Sequence, residues 1–128
     1  MEMMKVLEII SSAMESLGLN YEFMLWQGEN VDTYFVGEYE ETPIMSEDGF
    51  TESSFKLNGV TTGSWLKLEE AKEKIENYFG RISGKTVIAD DGSAVAIFYA
   101  NSFVLPTGGS EFKRIEIHLD VKEWKVSE

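Results

Sequence analysis

Apolar side chains recur at Met3, Val6, Leu7, Ile10, Ala13, Met14 and Leu17, the three-and-four spacing that gathers them on one stripe of a helix, and Gly18 stands where a helix ends. Tyr21 to Trp26 is aromatic and apolar, Gln27-Gly28-Glu29-Asn30 has turn composition, and Val31 to Tyr39 reads as a strand again, so the two runs are expected to pair as a hairpin. Strand character resumes from Phe55 to Gly63. After Ser64 the period becomes helical, with Leu68, Ala71, Ile75, Tyr78 and Phe79 on one face, Ser64 or a neighbour as the cap and Gly80 as the stop. Three strands are predicted beyond it, Lys85 to Ala89, Ala94 to Leu105 and Phe112 to Trp124, separated by turns at Asp90-Asp91-Gly92 and Pro106 to Ser110. The last strand alternates most cleanly: Ile115, Ile117, Leu119 and Val121 take one face, and Glu116, His118, Asp120 and Lys122 the other.

The predicted order is therefore α-β-β-β-α-β-β-β, an α+β chain whose antiparallel or mixed sheet carries two helices on one face. A length of 128 residues suits one domain spanning 1–128, with enough apolar content (43%) for a real core. The stretch Glu38 to Glu52 fits no element well. It holds six carboxylates, Pro43 and the turn dipeptide Asp48-Gly49, so an acidic loop or projecting hairpin is expected over about 38–54.

Charge sharpens the picture of that stretch. Met1 to Phe55 carries one basic side chain, Lys5, against twelve carboxylates, or −11; residues 56–128 carry ten against eleven, or −1, completing the net −12. An acidic surface of this kind repels nucleic-acid phosphates and anionic lipid, so neither DNA gripping nor membrane binding is expected. The absence of cysteine removes disulfides, thiolate nucleophiles and sulfur-rich zinc sites. Glu2 and Glu8 sit where a signal peptide would carry positive charge and then an apolar run, and no segment approaches the roughly 20 apolar residues of a membrane span. A cytoplasmic location follows as the expectation.

Candidate chemistry is sparse. Gly80-Arg-Ile-Ser-Gly84-Lys85-Thr86 has three residues between its glycines where a phosphate loop has four, and it follows a helix rather than opening one, so it reads as a helix stop and turn. His118 is the only histidine, on the polar face of an alternating strand, with Glu116 and Asp120 as its candidate partners. Asp90-Asp91-Gly92 and Glu47-Asp48-Gly49 lack the ligand spacing of a calcium loop and read as tight turns. No nucleophile elbow occurs. No catalytic residue, cofactor site or metal site is expected. Trp26 and Trp124, at predicted strand ends, are candidate contact anchors, whereas Trp65 beside a helix start is expected as a packing wedge. The candidate interaction surface is thus Glu38, Glu40, Glu41, Glu47, Asp48 and Glu52 with Trp26 and Trp124.

Two function classes are compatible with these residues. One is a small acidic binding or inhibitor protein, of the immunity or anti-restriction type, that sets its carboxylates against a basic partner. An enzyme built around His118 ranks below it. The other class comes from a resemblance. The helix Met3 to Leu17, the strand pair around Tyr21 to Tyr39, the acidic excursion to Glu52, the strand at Phe55, the helix Leu68 to Phe79 and the closing strands ending in Phe112 to Trp124 together resemble the tail-terminator, or tail-completion, proteins of long-tailed bacteriophages and prophages. The resemblance covers most of the chain and rests on element order and length. It implies a homo-oligomeric ring, commonly hexameric, that ends the tail tube and joins it to the head connector. It also implies that DNA passes without specific binding, that tail-tube and connector proteins are partners, that no enzyme activity is present, and that the final location is the virion tail. An acidic lumen would keep phosphates sliding, and the loop Glu38 to Glu52 would line it or dock on a partner ring.

Overall fold

The computed structural model describes residues 2–24, 31–45, 50–80, 82, 84–88, 92–105 and 112–124, of which 2–5, 40–45 and 50 by backbone alone. Eight elements follow in order: α1 (Glu2–Ser16), β1 (Tyr21–Phe23), β2 (Thr33–Met45), β3 (Phe50–Thr61), α2 (Trp65–Phe79), β4 (Lys85–Ile88), β5 (Ala94–Leu105) and β6 (Lys113–Trp124). The strands form one mixed sheet in the order β1-β2-β3-β6-β5-β4. This is the expected single-domain α+β architecture, with the elements in the expected order.

The alternation in β6 dictates where the core lies. Ile115, Ile117, Leu119 and Val121 are buried and face the same way as Phe55 and Leu57 of β3, Phe35 of β2 and Val95, Ile97 and Tyr99 of β5. Both helices close over that face. α1 contributes Val6, Ile10, Ala13 and Met14, and α2 contributes Leu68, Ala71, Ile75 and Phe79, all in one cluster with the strand residues. Each fully buried aliphatic side chain here contributes about 1.5–3 kcal/mol of transfer free energy.

The helix ends follow the sequence only in part. Gly80 ends α2 with φ 78° and ψ 156°, a conformation open essentially to glycine alone, and its N–H donates to the Glu76 carbonyl. Gly80 also accepts from the Tyr99 N–H at 2.8 Å, which ties the helix end to β5. Ser64 occupies the cap position in extended backbone, but its side chain makes no capping hydrogen bond. Trp65, expected as a packing wedge, is the first residue of α2 and stands 39% exposed, because the buried stripe of the helix begins one turn later at Leu68.

One expectation about strands needs correction. β1 and β2 do not form a hairpin; they are parallel, with Tyr21, Glu22 and Phe23 opposite Phe35, Val36 and Gly37. The period of two says which side chains share a face but not which way a strand runs. Direction is set instead by the link from α1: the Asn20 carbonyl accepts from Phe35 N–H, the Met24 N–H donates to the Gly37 carbonyl, and Tyr21 packs over Gly37. The acidic stretch, expected as a loop or projecting hairpin, is paired strand where it is described. Residues up to Met45 and from Phe50 lie in β2 and β3 as an antiparallel pair, with a bulge between Glu40 and Ile44; 46–49 lie outside the described residues. Backbone pairing there extends to β6, where Thr51 opposes Glu123 and Ser53 opposes Val121. A ladder needs backbone groups rather than apolar side chains, so a polar sequence joins it readily.

Polar core-facing side chains at this end bond one another. The Tyr39 hydroxyl donates to Glu123 Oε1 at 3.1 Å and lies 3.0 Å from Ser53 Oγ, while Glu123 is only 6% exposed. A buried carboxylate needs such a donor, since an uncompensated one is costly to desolvate.

Candidate assembly surface

With both helices on one side, the other face of the sheet carries no helix among the described residues. Its residues fall in rows that cross β2, β3, β6 and β5 in register. Tyr34, Val60, Arg114 and Leu105 form one row; Val36, Asn58, Glu116 and Phe103 the next; Glu38, Lys56, His118 and Asn101 the third; and Glu40, Ser54, Asp120 and Phe98 the fourth. The face is therefore apolar at one end and charged across its middle.

The charged belt is internally paired. Lys56 Nζ lies 3.3 Å from Glu38 Oε1 and 3.9 Å from Glu116 Oε2. His118 Nε2 donates to Glu116 Oε2 at 2.6 Å, and the Phe103 ring meets the imidazole edge-on at 5.5 Å. Of the two carboxylates expected beside His118, Glu116 is its partner; Asp120 lies one residue pair further along the strand and is exposed. Lys122 reaches over the Phe98 ring at 5.5 Å. Both members of the His118 and Glu116 pair lie on β6, two positions apart on one face, and Lys56 reaches Glu116 from the neighbouring strand. Among the described residues, no group of three or more His, Asp or Glu side chains is placed to hold a metal ion.

The sequence-predicted contact residues scatter across this surface. Glu38 belongs to the belt, Glu52 is exposed on the same face opposite Lys122, and Trp124 is half-buried at the end of β6 beside Ala94. Glu40 and Glu41 are placed by backbone in β2, while Glu47, Asp48 and Trp26 lie outside the described residues. Sequence reasoning missed Lys56 and Phe103, which the register brings against Glu38, Glu116 and His118. It also missed the run Asn101 to Leu105, although that run is visibly free of charge and ends at Pro106.

Elsewhere the chain offers less. An open groove of 550 Å³ along α1 is lined by Leu7, Glu8, Ser11, Ser12, Tyr21, Glu22 and Phe23. Burial pushes the Tyr21 phenol well above its ordinary range, so it stays neutral there. At the start of β2, Lys67 pairs with Asp32 and its hydrogen bond holds that carboxyl below the ordinary 3.8. Among the described residues, no helix is long and apolar enough to cross a membrane.

No family model matches this chain, and no curated protein matches it. Among solved structures, it is similar to a chain in the virion of a native gene transfer agent particle, with 10% sequence identity and a TM-score of 0.63 over 87% of this chain and 83% of that one. At that identity the likeness establishes a shared fold, spanning nearly the whole length of both chains.

Proposed function

We propose that this chain is a structural assembly protein of a phage-like particle, and specifically a tail terminator: a ring-forming subunit that ends the tail tube and joins it to the head connector. The observation that carries the reading is the fold shared with a chain of a gene transfer agent virion over 87% of the present sequence. A helix-free sheet face with an apolar end supports an assembling subunit. The net charge of −12, concentrated before residue 56, supports a conduit that repels DNA rather than one that grips it. The reading assigns no catalytic step, cofactor or metal to the chain. Its partners are further copies of itself, a tube protein and a connector protein.

Size-exclusion chromatography with light scattering, followed by negative-stain imaging, tests it. Closed rings, favoured at higher concentration, are expected. A strict monomer at every concentration and salt would refute the reading and fit a small acidic binder of a basic partner instead. Neutralising Glu38, Glu40, Glu41, Glu47, Asp48 and Glu52 together is expected to impair ring docking or DNA passage. If assembly and passage both survive, the acidic hairpin has no part in either.

A further inference from the structure

The groove between α1 and β1 combines apolar lining with unpaired carboxylates. Leu7 and Tyr21 line it together with Glu8 and Glu22, and it continues past Glu15 and Leu19 towards the end of α1, with Tyr21 and Glu22 common to both stretches. Glu8 and Glu15 are seven residues apart, which puts them on one side of the helix and about 10 Å from each other along it. Among the described residues, none of these three carboxylates makes an ion pair. Other carboxylates do find cations: Glu38 and Glu116 hold Lys56, Asp32 holds Lys67, and Glu69 holds Lys72.

The complementary group lies on the helix-free face of the sheet. Arg114 is exposed there, in the row Tyr34, Val60, Arg114 and Leu105, which contains no carboxylate. The next row holds Glu116, which His118 and Lys56 already engage. Lys113 precedes Arg114 in the chain, and Phe103 of the next row is 52% exposed. Arg114 thus joins a fixed positive charge to apolar neighbours, as the groove joins negative charge to apolar lining. Arginine suits such a site, because its stem packs on apolar surface while its planar guanidinium takes carboxylates on more than one side.

Within one copy the two do not meet. Glu22 stands opposite Val36, three strand spacings from β6 and two residues along from the level of Arg114, about 16 Å in all. That is beyond the combined reach of the two side chains.

We propose that Arg114 of one copy enters the groove of a second copy between Glu15 and Glu22, so that the basic, apolar end of one sheet face docks on the acidic, apolar groove beside α1 of the next. This deepens the ring reading above and rests on it only for closure. The groove and Arg114 are different patches of the surface, so the contact is heterologous. Repeated from copy to copy, it gives a ring where the rotation closes. It also gives the charge imbalance a structural use, since Glu8, Glu15 and Glu22 belong to the stretch that carries −11 and Arg114 to the nearly balanced remainder.

Charge exchange, read by light scattering, tests the contact. Arg114→Glu and Glu22→Arg, each alone, should raise the concentration needed for half-assembly about tenfold or more, because each sets like charges together where the copies meet. Lys74→Glu makes the same change in net charge as Arg114→Glu on the exposed face of α2, and should leave assembly where it was. Mixed in equal amounts, the two single variants should assemble again, since each offers the charge that the other's contact lacks. Should Glu22→Arg perturb folding by circular dichroism, Glu15→Arg takes its place in the mixture. Single variants that assemble like the parent, or folded ones that stay apart when mixed, would overturn the proposal and leave the ring reading standing. An equal loss in Lys74→Glu would overturn it in favour of general charge repulsion. A parent that is monomeric at every concentration and salt would overturn both.

Discussion

Gly59→Ala should destabilise the protein, although glycine inside a strand is usually a liability. Gly59 lies in β3, opposite Phe35 on one side and Ile115 on the other, and all three point into the core. A Cβ there would sit 2.5 Å from Phe35 Cε2 and 2.9 Å from Ile115 Cγ2. Comfortable carbon contacts are about 3.5–4.0 Å, so the ring would have to move by about 1 Å. Phe35 is fully buried, so its ring can move only against other core side chains. Overpacking of this kind costs about 1–3 kcal/mol, against a backbone gain of about 0.5–1 kcal/mol from replacing glycine. We take the upper part of the first range, which leaves a net loss of about 2 kcal/mol. A chain of this length has an unfolding entropy of roughly 0.27 kcal/mol/K, so Tm should fall by about 7 °C. Urea titration should show a lower midpoint with an unchanged slope. The decisive measurement is the double variant Phe35→Leu/Gly59→Ala, whose loss should be about 1 kcal/mol less than the sum of the singles, because a smaller side chain makes room for the methyl. Strict additivity, or a Gly59→Ala protein as stable as its parent, would refute the close-approach argument.

Three further outcomes are expected. Tyr39→Phe removes the hydroxyl that donates to buried Glu123 and should cost about 1.5–3 kcal/mol in urea unfolding, whereas an unchanged midpoint would mean that the carboxylate does not depend on it. Gly80→Ala puts a side chain at φ 78° and ψ 156° and should cost about 1–3 kcal/mol; a gain in Tm would show that the α2 terminus relaxes freely. Asp32 titrates below 3.8 because the Lys67 hydrogen bond favours its charged form, so its contribution to stability is present above 3.8 and is lost as pH falls through the lower folded value. Lys67→Ala should raise the titration of the Asp32 carboxyl resonance towards the ordinary value, and an Asp32 that already titrates ordinarily in the parent would contradict the pairing.

Periodicity within a single element was legible, and relations between elements were not. α1, α2 and β6 follow from spacing alone, and the buried face of β6 holds the four residues that its alternation assigns to it. The parallel run of β1 escaped because direction depends on Asn20 meeting Phe35 and Met24 meeting Gly37 across the sheet, which no local pattern encodes. Of the acidic stretch, the pairing with β6 escaped, because strand propensity weighs side chains, while Thr51 to Ser54 are held by backbone pairing with β6 and by Tyr39 reaching Ser53. Of the candidate surface, Glu38 and Glu52 could be named from charge. Their neighbours Lys56 and Lys122 could not, because adjacency across strands is a matter of register.

The charge imbalance takes on a more definite meaning once register is known. Glu38, Glu40 and Glu41 are on β2, and Glu52 is on β3, the strand paired to it. Exposed charges act first on what lies beside them, because they are screened beyond about 8–10 Å at physiological salt. Glu38 Oε1 lies 3.3 Å from Lys56 Nζ, and Glu52 stands opposite Lys122 of β6. Their nearer effect is therefore on the neighbouring strands of their own sheet. An effect on a duplex would require many copies to hold their carboxylates around a common axis.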